Sequence, residues 1–322
     1  MKAAILREPE GIPEYGDFAE PVLTQGRELV TLVAAGVHPI VRSLAAGRHY
    51  GSTGHWPLIP GVDAVARTTD GVLVYTGYVE PPYGTLAEHM AVPSSMRIPL
   101  PTGADPVAIA GGLNPGLASW MPLTARAKEI GQLGTVLILG ATGMAGMLAV
   151  QNALRLGASR VVGVGRKPSG LARASGVGAV TVALRGDRGT DAAALVSALE
   201  GGAPTLVLDF LWGPPAEATF AALGRHGLGE DEADIAYVQI GAPAGPEAAM
   251  PASLLRSRRI RIFGSGAGSA SIAAIMEQVP IYMGLIADGR VEVPTQTFPL
   301  SQVRDAWKAA SESGSRVVVV PG

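Results

Sequence analysis

One segment constrains this chain more than any other. Thr135-Val136-Leu137-Ile138-Leu139 is an apolar run of the kind that fills the centre of a parallel sheet, and it opens directly into Gly140-Ala141-Thr142-Gly143-Met144-Ala145-Gly146. A helical pattern follows, with Met147, Val150, Gln151 and Leu154 on one face and Gly157 placed as its C-cap. Strand, glycine turn and helix in that order make a nucleotide-binding βαβ unit. Set against G-x-G-x-x-G, Ala141 stands at the first glycine position, so Gly140 has to ease the turn. Gly143 then lets main chain approach a pyrophosphate, and Gly146 lets the helix lie close to the strand. The helix N-terminus adds free N–H groups and partial positive charge. The whole turn, with Gly140, Thr142, Gly143, Met144, Ala145 and Gly146, is the candidate phosphate site.

The end of the next strand decides which nucleotide. Sites for NAD place an acidic residue about 20 positions beyond the glycines, where it accepts hydrogen bonds from the ribose. At that distance this chain has Gly165-Arg166-Lys167-Pro168-Ser169, with no acid. A guanidinium fork and an ammonium suit a 2′-phosphate, so NADPH is the expected cofactor. Further along, Gly241-Ala242 and Gly264 follow later strands of the same sheet, where main chain faces a nicotinamide.

Around this unit the texture changes twice. Residues up to about 110 read as short strands (2–6, 28–34, 62–66, 72–75 and 86–91) between Gly/Pro turns. From about 119, strands at 136–139, 160–164, 179–182, 205–210, 235–240 and 259–263 alternate with Ala-rich helices, the signature of a doubly wound parallel sheet. The tail returns to strand, helix and strand at 296–298, 302–313 and 316–320. Its last strand, Arg316-Val317-Val318-Val319-Val320, needs burial on both faces and is expected to return to the first domain. The domains are therefore 1–118 with 288–322, β-rich, and 119–287, dinucleotide-binding.

Bulk properties narrow the function classes. With 48% hydrophobic and 16% charged residues the chain is globular rather than disordered. A net charge of −2 supplies no general attraction to nucleic acid. No apolar stretch reaches the ~18 residues of a membrane span, and no signal-peptide pattern follows Met1. A cytoplasmic protein is expected. There is no Cys, which removes disulfides and thiolate zinc sites, and the five His show no standard ligand spacing. No metal is expected.

The order of elements resembles the medium-chain dehydrogenase/reductase superfamily, and most closely its zinc-free quinone oxidoreductase branch. The motifs that carry the resemblance are Ala34-Ala35-Gly36-Val37-His38-Pro39, Ile59-Pro60-Gly61-Val62-Asp63-Ala64, Gly84-Thr85-Leu86-Ala87-Glu88-His89, Asn114-Pro115-Gly116-Leu117-Ala118, Leu206-Val207-Leu208-Asp209-Phe210, Tyr237-Val238-Gln239-Ile240-Gly241 and Gly314-Ser315-Arg316. It implies a Rossmann-type sheet plus an irregular, GroES-like β-rich catalytic domain, and a homodimer joined along the strand at 260–263. Five positions depart from these motifs: Ala64 and Val65 in the turn after Pro60-Gly61, His38 in place of Asn, Val41 in place of an acid and Leu117 in place of Thr.

Without a metal, the accessible chemistry is hydride transfer to an electron-poor carbon of a small electrophilic substrate, a quinone or an enone, with hydrogen-bond donors at the oxygen. Tyr50 is the first candidate donor and His38 the second. Arg316 is a candidate cofactor-phosphate contact. The alternatives are a reductase of acyl-thioester enones and a catalytically idle NADPH-binding sensor or structural protein.

Overall fold

The chain opens with the strands β1 (Lys2–Ile5), β2 (Glu14–Asp17) and β3 (Arg27–Gly36), then the short helix α1 (Pro39–Ala45). There follow β4 (Asp63–Arg67), β5 (Leu73–Gly77), β6 (His89–Pro93) and β7 (Ile98–Pro99). A 25-residue helix, α2 (Pro106–Ile130), leads into β8 (Thr135–Leu139). Strands and helices then alternate: α3 (Met144–Arg155), β9 (Arg160–Gly165), α4 (Pro168–Gly176), β10 (Val180–Ala183), α5 (Arg188–Ala198), β11 (Leu206–Asp209), α6 (Gly213–Ala222), β12 (Ile235–Gln239), α7 (Ala252–Ser257) and β13 (Ile260–Gly264). The chain closes with α8 (Ile272–Ala287), β14 (Thr295–Pro299), α9 (Val303–Ala309) and β15 (Arg316–Val320). This computed structural model describes residues 1–269, 271–311 and 316–322. Gly314, Ser315 and the end of the helix expected at 302–313 lie outside them.

The chain divides into two units, Met1–Pro115 with Val279–Gly322 and Gly116–Gln278. The sequence places the junctions at 118/119 and 287/288; in the structure both boundaries fall inside helices, α2 and α8.

In the first unit β1 and β2 form a hairpin, and a larger sheet runs in the order β14-β15-β3-β4-β5-β7 with β6 also on β3. The valine-rich β15 pairs antiparallel with β3 and parallel with β14, so neither of its edges is open. Period-two alternation sends Val30, Leu32, Ala64, Ala66, Val317 and Val319 into one core with Trp307 of α9.

In the second unit all pairings are parallel and the order is β10-β9-β8-β11-β12-β13. Leu137, Leu139, Val162, Val164 and Val207 enter one core, while Val136, Ile138, Val161, Leu206 and Leu208 enter another on the opposite face. Burial on both faces is why these strands read as unbroken apolar runs. Strand order reverses between β8 and β11, so the ligand crevice of such a sheet lies at their carboxyl ends.

Four elements were not anticipated: β2, α1, β7 and α2. Gly111-Gly112 and Asn114-Pro115-Gly116 read as breakers, yet all lie within α2. Close packing accounts for Gly112, where a Cβ would overlap the Val293 side chain. Helix α1 starts on Pro39, whose missing N–H is no loss in a first turn.

Candidate active site

The glycine turn has the geometry its spacing implies. Gly140 leaves β8 at φ +97, a left-handed conformation suited to glycine, and its N–H and that of Ala141 both donate to the Val164 carbonyl at 2.9 Å. Gly143, at the N-cap of α3, has extended backbone. At Gly146 a Cβ would overlap the Gly140 carbonyl oxygen and lie 2.7 Å from Ala141 Cα, so helix and strand meet main chain to main chain. The first-turn N–H groups of Met144, Ala145 and Gly146 have no intrahelical acceptor and carry the positive end of the helix dipole. Gly165, placed at the site by sequence, also has a packing role. A Cβ there would overlap the Thr142 methyl, and one at Gly170 would stand 2.6 Å from Thr142 Cβ. Thr142 is thus wedged between the end of β9 and the start of α4. Beside it Arg166 and Lys167 are exposed, and Arg166 makes no ion pair among the described residues.

Next to this turn, Asp209 ends β11 fully buried. Its Oδ1 accepts the N–H groups of Leu211 and Trp212, both at 2.8 Å, and its Oδ2 accepts the Tyr237 hydroxyl at 2.6 Å. Burial raises the Asp209 carboxyl above its ordinary range in spite of these donors. The carboxylate holds Trp212 at φ 57 and ψ −161, a region otherwise occupied by glycine. Leu211 and Phe210 consequently wall the Gly140 turn, with Leu211 Cγ 3.3 Å from where a Gly140 Cβ would stand. Gly241 packs on the Phe210 carbonyl from the other side and donates its N–H to the Asp209 carbonyl at 3.2 Å. Ala242 is exposed beyond the end of β12, and Gly264, expected to follow its strand, is the exposed last residue of β13, paired with Gln239.

The first unit gathers its polar groups in the interior. Asp63 Oδ2 accepts the Tyr75 hydroxyl at 2.9 Å, and Asp63 Oδ1 accepts the Asn114 amide at 3.4 Å. His38 Nε2 stands 3.3 Å from Asp63 Oδ1 but is poorly aligned, so neither ring nitrogen has a well-formed hydrogen bond to the protein. Burial pulls the His38 pKa below the ordinary imidazole value, against the pull of Asp63, and keeps the ring neutral. Arg316 is buried too. It donates to the Val37 carbonyl at 3.2 Å, and burial brings its pKa down to about 10, leaving it charged at neutral pH.

A curated relative, the probable NADPH-dependent quinone reductase tdiC of Emericella nidulans, is 30% identical over 351 aligned positions that span 96% of each chain. The chain belongs to the zinc-free quinone oxidoreductase branch of the medium-chain dehydrogenase/reductase superfamily. Among solved structures, the quinone oxidoreductase of Thermus thermophilus, determined with NADPH, is 26% identical with a TM-score of 0.77 over 99% of this chain and 100% of that one. The mycobacterial protein Rv1454c, also complexed with NADPH, shares the fold at 19% identity and a TM-score of 0.80, each chain covered in full. No family model matches the sequence.

In this chain the two residues chosen from sequence as donors have contrasting places. Tyr50 is 75% exposed after α1, its ring 4.0 Å from that of His49. His38 is 1% exposed and packs inside. Arg316, picked for a cofactor phosphate, spends its guanidinium on the interior of its own unit. Leu117 is buried where the family has Thr. Among the described residues no three His, Asp or Glu converge as metal ligands, and no helix is long and apolar enough to cross a membrane. Sequence reasoning passed over Asp63, Tyr75 and Asp209 as site residues. The usable signal was a carboxylate inside a strand, Val62-Asp63-Ala64 and Leu208-Asp209-Phe210, because a buried acid needs donors around it.

Proposed function

We propose that the protein is an NADPH-dependent, zinc-independent reductase acting on a quinone or an α,β-unsaturated carbonyl compound. The observation that carries this reading is the main-chain cradle at 140–146 with two exposed cations, and no acid, at the end of β9. The cradle fits a dinucleotide, since its glycines leave the space that a diphosphate and its approach require. When bound, NADPH supplies a hydride. The N–H groups of Met144, Ala145 and Gly146 hold the diphosphate, Arg166 and Lys167 the 2′-phosphate, and the segments at Gly241-Ala242 and Gly264 the nicotinamide end.

On the substrate side, the oxygen that gains charge needs a proton or a hydrogen-bond donor. Tyr50 is assigned that role, its hydroxyl making no hydrogen bond among the described residues. His38, enclosed at the N-cap of α1 with no side-chain cap hydrogen bond, is the second candidate. The protein is further read as a cytoplasmic homodimer. The outer strand β13 has one sheet neighbour and a 49% exposed Phe263, and a two-fold mate would pair along it. Light scattering at the mass of a single chain would remove the dimer.

The test of function is NADPH consumption with a panel of quinones and short enones, each repeated with NADH. Turnover with one class and a clear preference for NADPH is expected. Tyr50→Phe should cut turnover about 100-fold, the low end of what a positioned proton donor contributes. Tight NADPH binding with no acceptor able to oxidise it would make the protein a catalytically idle cofactor binder instead.

A further inference from the structure

The loop after β10 has a construction that the cofactor reading leaves unused. In the register of the two strands Val182 lies beside Val164 and Ala183 beside Gly165. The ladder continues for one more bond, Leu184 N–H donating to the Gly165 carbonyl at 2.8 Å. Arg185 therefore leaves the sheet alongside Arg166 and Lys167, at the roughly 5 Å spacing of neighbouring strands. Val182 and Leu184 turn into the core with Val164. Alternation then puts Arg185 on the opposite side, the side of Gly165 and its Thr142 wedge.

A buried acid pins this loop. Asp191 of α5 is 4% exposed, and its two oxygens accept the N–H groups of Arg185 at 2.7 Å and Gly186 at 3.1 Å. A carboxylate bonded to two consecutive main-chain donors fixes the turn at Gly186, φ +84, and with it the start of the Arg185 side chain. Arg185 itself is exposed and makes no ion pair among the described residues. In the sheet order β10 flanks β9 on the side away from the switch point. A 2′-phosphate at the end of β9 would therefore have this loop as its outer neighbour.

We propose that Arg185 is a third cation of the 2′-phosphate site and a determinant of NADPH over NADH, with Asp191 as its positioning residue. This rests on the reading that the 2′-phosphate lies at Arg166.

Direct binding tests it without turnover. Calorimetric affinities would be measured for NADPH, NADH, adenosine 2′,5′-bisphosphate and 5′-AMP with wild type, Arg166→Ala, Arg185→Ala, Asp191→Ala and the double variant Arg185→Ala/Asp191→Ala. Arg185→Ala should weaken NADPH and the bisphosphate about tenfold, the scale of one lost charge-assisted bond, and leave NADH and 5′-AMP unchanged. Asp191→Ala should lose less, and should lose no further selectivity once Arg185 is absent, a non-additivity that a merely structural acid would not show. Equal weakening of NADPH and NADH by Arg185→Ala, or no change, overturns the proposal while Arg166→Ala still loses selectivity. If Arg166→Ala also leaves the preference intact, the underlying site reading has failed as well.

Discussion

The two units dispose their polar groups in opposite ways. The unit built on β8 uses main chain, with glycines clearing space, helix N–H groups left free and cations held at the surface. The unit built on β3 uses side chains drawn inward, with His38, Tyr75 and Asn114 ranged about one buried carboxylate and Arg316 buried nearby. Main-chain recognition depends on local conformation, which glycine spacing controls directly. The inward network depends on contacts between residues far apart in sequence, such as Asp63 and Asn114. A single substitution should accordingly abolish binding in the unit built on β8 and destabilise folding in the unit built on β3.

The largest effect is expected at Gly146. Replacing it with Ala puts a methyl group on the Gly140 carbonyl, where no side chain can move aside. NADPH affinity should fall by more than about 100-fold, roughly 3 kcal/mol, by calorimetry. A variant that binds normally would break the distinction between the units. Next comes Asp63→Ala, which orphans Tyr75 and Asn114 and removes the negative charge near Arg316. A loss of about 3 kcal/mol is expected in urea unfolding, whereas less than about 1 kcal/mol would mean that water serves the network equally well.

The smallest effect is a pH dependence. His38 has its pKa lowered by burial, so between its folded value and the ordinary value of about 6.5 the unfolded chain binds the extra proton. The stability it permits is present above about 6.5 and is lost as pH falls through that window. His38→Asn, restoring the residue type its family relatives often carry, should flatten this part of the melting temperature against pH. An unchanged slope would place the acid sensitivity elsewhere.

What could be read in advance follows the same division. The six parallel strands were visible because double burial leaves runs such as Val136-Leu137-Ile138-Leu139 without polar interruption, and an uninterrupted run between turn residues leaves few alternative conformations. Helix α2 was not, because Gly111, Gly112 and Pro115 argue locally for a break that tertiary packing overrides. At the site, glycine positions were readable and side-chain destinations were not. Nothing in Val37-His38-Pro39 distinguishes an imidazole in the cleft from one packed against Asp63. The destination of Arg316 was hidden for a related reason, since a cation leading into a strand ordinarily stays in water and this one is enclosed.

The wedge of Thr142 between Gly165 and Gly170 bears on how such a protein can be altered. Changing its cofactor by transplanting the 166–169 loop from an NADH-using protein looks like a surface exchange. A graft extended to positions 165 and 170 would replace the two flanking glycines, and any Cβ there would push on Thr142 and so on the phosphate turn. Selectivity and affinity are mechanically joined at that threonine, and a redesign that treats them as separate modules should lose both.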